Sequence, residues 1–82
     1  MRRKDKEAVL TLIAKIGGAP SVEEKALFGK DVNVDSLGKV TLLLQLEETF
    51  GFELSEDDMN PFGLRGAQDV LALVEKHLSA KT

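Results

Sequence analysis

The chain contains no cysteine, tryptophan or tyrosine, and its 82 residues include one histidine and two prolines. Without cysteine it can form no disulfide, no thiolate metal site and no covalent intermediate on a thiol of its own. Four phenylalanines are its only aromatic residues, so its core must be largely aliphatic, and the scarcity of β-branched runs argues against a sheet. These absences predict an all-α bundle built from Leu, Val and Ile.

Catalytic and metal-binding patterns are also lacking. His77 is the only imidazole and stands near the end of the last predicted helix, so we expect a surface residue and no enzyme. The acids lack the alternation of a calcium-binding loop, and Gly17-Gly18 follow a helix rather than opening one, as a phosphate-binding loop would. We therefore expect no metal site.

Long apolar runs are absent as well, so no segment is long enough to span a bilayer. The charged stretch Lys4-Asp5-Lys6-Glu7 follows Arg2-Arg3 where an export signal would be apolar, and its acids also argue against a mitochondrial transit peptide. We expect a cytoplasmic monomer that does not bind membranes. Its length predicts a single domain that covers residues 1–82.

Basic residues are scarce in the middle of the chain. Residues 31–58 contain eight acids and only Lys39 as a base, a net charge of −7, whereas residues 1–15 carry five bases and two acids, a net charge of +3. The acidic middle would repel nucleic acid and attract a basic protein surface. A solvated face that keeps the domain soluble explains the charge about equally well.

Apolar residues at helical spacing predict three main helices. The first covers residues 5–16, the second runs from Gly38 to Phe50 behind the triplet Asp35-Ser36-Leu37, and the last covers residues 66–79. Glycines follow the first two helices, as expected at helix ends. The predicted fold is a four-helix bundle with three main helices, a short third helix and a long first connection.

Local signals add detail between the main helices. The acids of Ser55-Glu-Asp-Asp58 predict the short third helix, and Ser21-Val-Glu-Glu24 has capping-box spacing, which predicts a helical turn from Val22. We expect Leu27 and Phe28 to fold the first connection onto the core. Asn33 suits a left-handed backbone in the turn into the second helix.

Two residues that can cap a helix stand at the start of the second helix. Because Asp35 can accept the capping hydrogen bond, the hydroxyl of Ser36 is able to point outward at the positive end of the helix, where anions bind readily. Such a pair is most often purely structural, and physical chemistry alone does not say what binds there.

The second helix carries two apolar stripes. The wider stripe should face the core, and it comprises Leu42, Leu43, Leu46 and Phe50. The narrower stripe starts beside Ser36, and it comprises Leu37, Val40 and Leu44. The spacing alone favours additional core for this second stripe. The alternative is a docking ridge for a partner, flanked by Glu47 and Glu48.

The chain resembles the acyl carrier protein family over nearly its whole length. The resemblance is carried by Phe28-Gly-Lys-Asp31-Val-Asn-Val-Asp35-Ser36-Leu37, then Val40 and Leu46-Glu47-Glu48-Thr-Phe50. It implies that 4′-phosphopantetheine, delivered from coenzyme A by a magnesium-dependent phosphopantetheinyl transferase, is esterified to Ser36. The terminal thiol of this arm would hold acyl groups as thioesters, so that the cofactor supplies the missing thiol.

The resemblance also implies which residues surround the arm and which meet partners. Asp35 and Leu37 would hold the attachment site. Acyl-loading and acyl-processing enzymes with basic docking surfaces would bind a docking face that comprises Leu37, Val40, Leu44, Glu47, Glu48, Glu56 and Asp57.

Several positions depart from the residues that are usual in the family. They are Asn33 for Gly, Gly38 and Thr41 for acids, Gly66 for Thr, and the longer connection Pro61–Leu64. We hypothesise a specialised stand-alone carrier for a secondary-metabolite or modified-acyl pathway rather than a housekeeping fatty-acid carrier. The alternatives are an aminoacyl or peptidyl carrier, which Asp35 disfavours, and an unmodified helical adaptor.

Acyl cargo is a further hypothesis. If the second, third and fourth predicted helices separate slightly, an apolar acyl chain could lie inside the bundle. The residues around it would be Leu46, Phe50, Met59, Leu64 and Val70.

Overall fold

The computed structural model describes residues 2–80 and is all-helical, as predicted. It contains α1 (Arg3–Gly17), α2 (Ser36–Phe50) and α3 (Ala67–Ala80), with a single 3-10 turn at Pro61–Gly63. The described residues contain no β-strand, only two isolated bridges that involve the first connection. None of the helices within this part of the chain is long and apolar enough to cross a bilayer.

The core is aliphatic and is built from one face of each main helix. The largest fully buried side chains are Val9 and Ile13 of α1, Leu42, Leu43 and Leu46 of α2, and Val70 and Val74 of α3. Full burial of such a side chain contributes about 1.5–3 kcal/mol to folding. The core assignment of the wider stripe of α2 is therefore confirmed, with Phe50 packed at the core's edge.

Glycines end α1 and α2, as the sequence indicates. Gly18 and Gly51 adopt left-handed backbone conformations, with φ values of 68° and 71°. This conformation is nearly cost-free only for glycine, and it turns the chain away from the helix axis.

The first connection does not contain the helical turn predicted from Val22. The chain makes only one turn there, in which the N–H of Ala26 donates to the carbonyl of Glu23 (3.1 Å). The next backbone groups pair with the start of α3 instead. The N–H of Ala67 donates to Ala26 (2.9 Å), and the N–H of Phe28 donates to Arg65 (2.9 Å). These long-range bonds replace the ones that a helix would have formed.

The anchors of this connection differ in part from the expectation. Phe28 packs against the core, but Leu27 is 45% exposed, so the prediction for Leu27 is wrong. Smaller residues take its place, since Ala26, Val32 and Val34 are buried.

Asn33 does not use a left-handed backbone. No residue other than glycine has a positive φ within residues 2–80, and Gly29 supplies that conformation in the first connection (φ 83°). The prediction for Asn33 is wrong because the sharp turn lies four residues earlier.

The short third helix is reduced to turns. The N–H of Met59 donates to the carbonyl of Ser55 (2.9 Å), which closes a single turn. Pro61 then prevents continuation, because proline has no N–H and disfavours a helical conformation in Asn60 before it. A 3-10 turn follows, and the Asn60 side chain caps it by accepting from the N–H of Phe62 (3.0 Å).

Candidate functional site

Ser36 is the first residue of α2, and Asp35 is its N-cap. Asp35 Oδ1 accepts the N–H of Gly38 (2.7 Å), and its carbonyl accepts the N–H of Lys39 (2.9 Å). Ser36 is exposed, and its hydroxyl forms no hydrogen bond within residues 2–80. The prediction that Asp35 caps the helix and leaves the Ser36 hydroxyl turned to solvent is confirmed.

The backbone around Ser36 rests on a tightly packed base. Val34, two residues before it, is buried. A Cβ on Gly38 would lie 3.3 Å from both Ile16 and Val34, and 3.2 Å from Asp35 Oδ1. Glycine therefore fits the junction between the end of α1 and the start of α2. A larger residue here would require these side chains to shift by a few tenths of an ångström, a contact that the sequence could not reveal.

Lys39 lies one turn after Ser36 and is half-buried. Its Nζ is 5.8 Å from the centroid of the Phe28 ring. Among the described residues no carboxylate forms an ion pair with it, although acids dominate this part of the chain. The ammonium is thus held by an aromatic ring near the start of α2.

The narrower stripe of α2 is open to solvent. Leu37 is 77% exposed, Val40 37% and Leu44 51%. The core interpretation of this stripe, which spacing alone favoured, is therefore wrong, because the other stripe already fills the space toward α1 and α3. We call these three residues the apolar ridge.

The acids beside the apolar ridge differ in their surroundings. Glu48, Glu56 and Asp57 are exposed. Glu47 is half-buried, and its Oε2 accepts the N–H of Leu54 (2.7 Å). Glu47 therefore has a structural role, since it holds the chain that leaves α2.

Phe62 is a prominent surface residue that the sequence analysis missed. Its side chain is 83% exposed, and its 3-10 turn packs against α2. The sequence does contain a signal for this exposure. Phe62 stands between the turn-forming residues Asn60-Pro61 and Gly63, so no continuing helix places it on a buried face. An exposed aromatic of this kind is a frequent feature of binding surfaces.

His77 is not the surface residue that was predicted. Its side chain is 16% exposed, its ring stacks on Phe52 with centroids 5.0 Å apart, and its Nε2 lies 3.0 Å from Asp58 Oδ2. Asp58 Oδ2 also accepts the Ser55 hydroxyl (3.1 Å), and Asp58 Oδ1 lies 3.4 Å from Lys76 Nζ. This cluster ties the turn after α2 to α3.

The cluster changes the acidity of Asp58. Partial desolvation raises the pKa of this carboxyl, but the hydrogen bonds from His77 and Ser55 and the charge of Lys76 lower it, and the net result lies below the ordinary value of 3.8. His77 is thus engaged with the Asp58 carboxylate, and both residues are distant in sequence from Ser36.

Within the described residues no group of three or more candidate ligands could hold a metal ion.

Comparison with known proteins supplies a second line of evidence. A family model described as the phosphopantetheine attachment site matches residues 7–74. The chain is 37% identical over 67 residues to an acyl carrier protein of Chlamydia trachomatis serovar L2, an alignment that covers 80% of this chain and 84% of the relative. It is 37% identical over 59 residues to an acyl carrier protein of Thermosynechococcus vestitus, with 72% and 70% covered. It is 40% identical over 57 residues to an acyl carrier protein of Chlamydia caviae, with 70% and 71% covered.

Proposed function

The chain belongs to the acyl carrier protein family, and from this premise we propose that it carries acyl intermediates as thioesters on a 4′-phosphopantetheine arm attached to Ser36. Members of this family are carriers rather than enzymes, and phosphopantetheine is their cofactor. The observation that carries the proposal is the position of Ser36, which is exposed at the first position of α2 while Asp35 performs the capping.

The residues around Ser36 fit a phosphate ester. The hydroxyl stands at the N-terminus of a 15-residue helix, where the positive end of the helix dipole favours an anion. The packed base beneath Gly38 keeps this end of the helix in place. When bound, the arm supplies a terminal thiol, which this chain lacks because it contains no cysteine.

Ser36 is the acceptor in the loading step, and the phosphopantetheinyl transferase supplies the catalysis. A new bond forms between Ser36 Oγ and phosphorus, the pyrophosphate bond of coenzyme A breaks, and adenosine 3′,5′-bisphosphate leaves. The hydroxyl proton passes to a base of the transferase, since the Ser36 hydroxyl forms no hydrogen bond with a base of this chain within residues 2–80.

We assign partner binding to the apolar ridge and the acids beside it, Glu48, Glu56 and Asp57, with Glu47 also fixing the chain after α2. Exposed leucines can enter apolar pockets, and the surrounding acids attract a basic rim and speed association. Phe62 extends this docking face. The partners are the transferase and acyl-loading and acyl-processing enzymes with basic docking surfaces.

An intact-mass experiment tests the attachment. The protein is incubated with coenzyme A and a promiscuous transferase, together with Ser36→Ala and the control Ser21→Ala, which removes an exposed serine in the first connection. Wild type and S21A should gain one arm, and S36A none. If wild type gains nothing, or if S36A is still modified, the attachment to Ser36 is refuted. Absence of any arm would favour the unmodified adaptor.

The proposal extends to the pathway and to the cellular location of the protein. We place the chain in fatty-acid, polyketide or other specialised biosynthesis, as a cytoplasmic monomer with a single carrier domain over residues 1–82. A close approach to backbone accounts for Gly66, so the case for a specialised carrier rests on Gly38, Thr41 and the Pro61–Leu64 connection. Equal turnover by fatty-acid synthase enzymes and by cognate enzymes would contradict specialisation.

The nature of the thioester separates an acyl carrier from an aminoacyl or peptidyl carrier. Mass analysis of protein purified from its native cell should show an acyl group. A bound amino acid would favour the alternative. Shifts of Leu46, Leu64 or Val70 signals on acylation would support cargo inside the bundle, whereas shifts confined to the surface would contradict it.

A further inference from the structure

Lys39 stands three residues after Ser36 on the first turns of α2. Residues three apart are neighbours on a helix surface, and helical side chains lean toward the N-terminus of their helix. From this position the stem of a lysine is expected to run back toward the turn that Ser36 begins. Its four-carbon length allows the ammonium to reach a group esterified to the Ser36 hydroxyl.

The charge of Lys39 has no carboxylate partner within residues 2–80. This is unusual because Lys39 is the only base among eight acids in residues 31–58. Asp35 is close in sequence, but its Oδ1 accepts the N–H of Gly38, and it forms no ion pair with Lys39. Among the residues that the structure describes, a positive charge in the most acidic part of the chain thus has no carboxylate partner.

Phe28 restrains that charge without consuming its hydrogen-bond donors. The Lys39 Nζ lies 5.8 Å from the Phe28 ring centroid, and a cation over a ring face is attracted by the ring quadrupole. Phe28 is itself fixed by packing on the core and by its N–H bond to Arg65 (2.9 Å). An ammonium has three N–H donors, which remain available to an anion.

We propose that Lys39 is a positioning residue for the arm, and that its ammonium pairs with the phosphodiester on Ser36. This inference rests on the proposed function. A phosphodiester adds one negative charge to a segment that already carries −7, and a charge-assisted hydrogen bond from Lys39 offsets that repulsion. The pair fixes the root of the arm on the Phe28 side of α2, so partners receive the arm from a defined direction.

Four proteins test the proposal: wild type, Lys39→Gln, Lys39→Arg and the control Lys4→Gln. Lys4 is an exposed base near the start of α1. The opposite end of α1 is the one that approaches the start of α2, where Ile16 lies beside Gly38. Each protein is loaded to completion with coenzyme A and a promiscuous transferase, and intact mass verifies the loading. The readouts are the phosphorus NMR signal of the arm and the side-chain ammonium signals of the lysines.

Loading should shift the Lys39 ammonium signal of wild type and leave that of Lys4 unchanged. The phosphorus signal of K39Q should move and sharpen, because the root of the arm is less restrained. K39R, which keeps the charge, should restore the wild-type phosphorus signal, and K4Q should match wild type. A role limited to the Phe28 contact would move none of these phosphorus signals.

Two results overturn the pairing alone, provided that the arm is on Ser36. One is a Lys39 signal that does not respond to loading, with identical phosphorus signals in wild type and K39Q. The other is a K39R protein that behaves like K39Q, because the charge would then not be the active feature. Failure of wild type to gain an arm, or modification of S36A, overturns the proposed function and this inference with it.

Discussion

At the start of α2, Asp35 caps the helix and Ser36 presents an exposed hydroxyl, whereas a serine at a helix start often forms the cap itself. The Asp35 carboxylate accepts the N–H of Gly38, so the hydroxyl of Ser36 is not needed for capping. This division is what makes a reactive hydroxyl compatible with a stable α2. At the scale of single residues, attachment of the arm therefore depends on the Asp35 cap as much as on Ser36 itself.

Replacement of Asp35 tests this division. Asp35→Ala should lower the free energy of unfolding by about 1 kcal/mol, the usual cost of losing an N-cap, and should slow loading because the start of α2 frays. Asp35→Asn should keep most of the stability, since asparagine caps as well as aspartate. Denaturant unfolding and the loading rate measure both effects. An alanine variant as stable as wild type would show that the cap is not needed.

The first connection and the start of α3 approach each other closely at a position that only glycine can occupy without strain. Gly66 precedes α3 and pairs with Leu27 of the first connection. A Cβ at Gly66 would lie 2.5 Å from the carbonyl oxygen of Ala26, which accepts the N–H of Ala67. The connection that leads to Ser36 is thus fastened to the start of α3, and Gly66 permits the close approach of the two segments.

A pair of glycine substitutions measures the value of that contact. Gly66→Ala should destabilise the protein by about 1–3 kcal/mol, because the added methyl group overlaps backbone and must break the pairing. Gly63→Ala is the matched control, since a Cβ there meets nothing within 4 Å and its φ is not positive. It should be neutral or stabilise by up to about 1 kcal/mol. Equal unfolding midpoints for the two variants would contradict the close contact.

Docking is also a property of elements, because α2 and the 3-10 turn present it together. Leu37→Ala and Phe62→Ala should each lower kcat/KM for loading by about tenfold, or about 1.4 kcal/mol. Stability should change by no more than about 0.5 kcal/mol, because both side chains are exposed. Leu27→Ala removes an exposed leucine outside α2 and should load like wild type. Loss of activity in L27A equal to that in L37A would argue against a localised docking face.

At the scale of the whole molecule, the Asp58 cluster joins the turn after α2 to α3 and makes stability depend on pH. The pKa of Asp58 is lowered in the folded protein, so the folded state favours the carboxylate. The stabilising contribution is therefore fully present above the ordinary value of 3.8 and is lost as the pH falls through the lower, folded value.

Asp58→Asn should consequently be less stable than wild type at pH 7, and the difference should shrink as the pH falls below about 4. Asp57→Asn is the control on the same turn, where the carboxylate is exposed, and it should unfold like wild type. Thermal unfolding across pH measures both. A difference between wild type and D58N that stays constant down to acid pH would contradict the role of the Asp58 carboxylate.

The sequence predicted the features that depend on local pattern. Periodicity located all three main helices, and the glycines marked the ends of α1 and α2. It failed where distant segments meet. The helical turn predicted from Val22 does not form, because the backbone groups that follow pair with the start of α3. The contact between the Gly38 position and Ile16 joins two different helices.

The same limit applies to the site. The Asp35 cap followed from adjacent residues, but exposure of the apolar ridge depends on how much of α2 the other helices cover. Phe62 and the bond between His77 and Asp58 depend on the path of the chain after α2. Spacing within a single segment carries no information about these contacts.

Locating the arm on protein purified from its native cell decides whether Ser36 is the attachment residue. The protein is digested, and mass spectrometry of the fragments identifies the residue that carries phosphopantetheine. We expect the arm on Ser36 and on no other residue. A Ser36 fragment that is unmodified in every preparation, or an arm located on a different side chain, would contradict it.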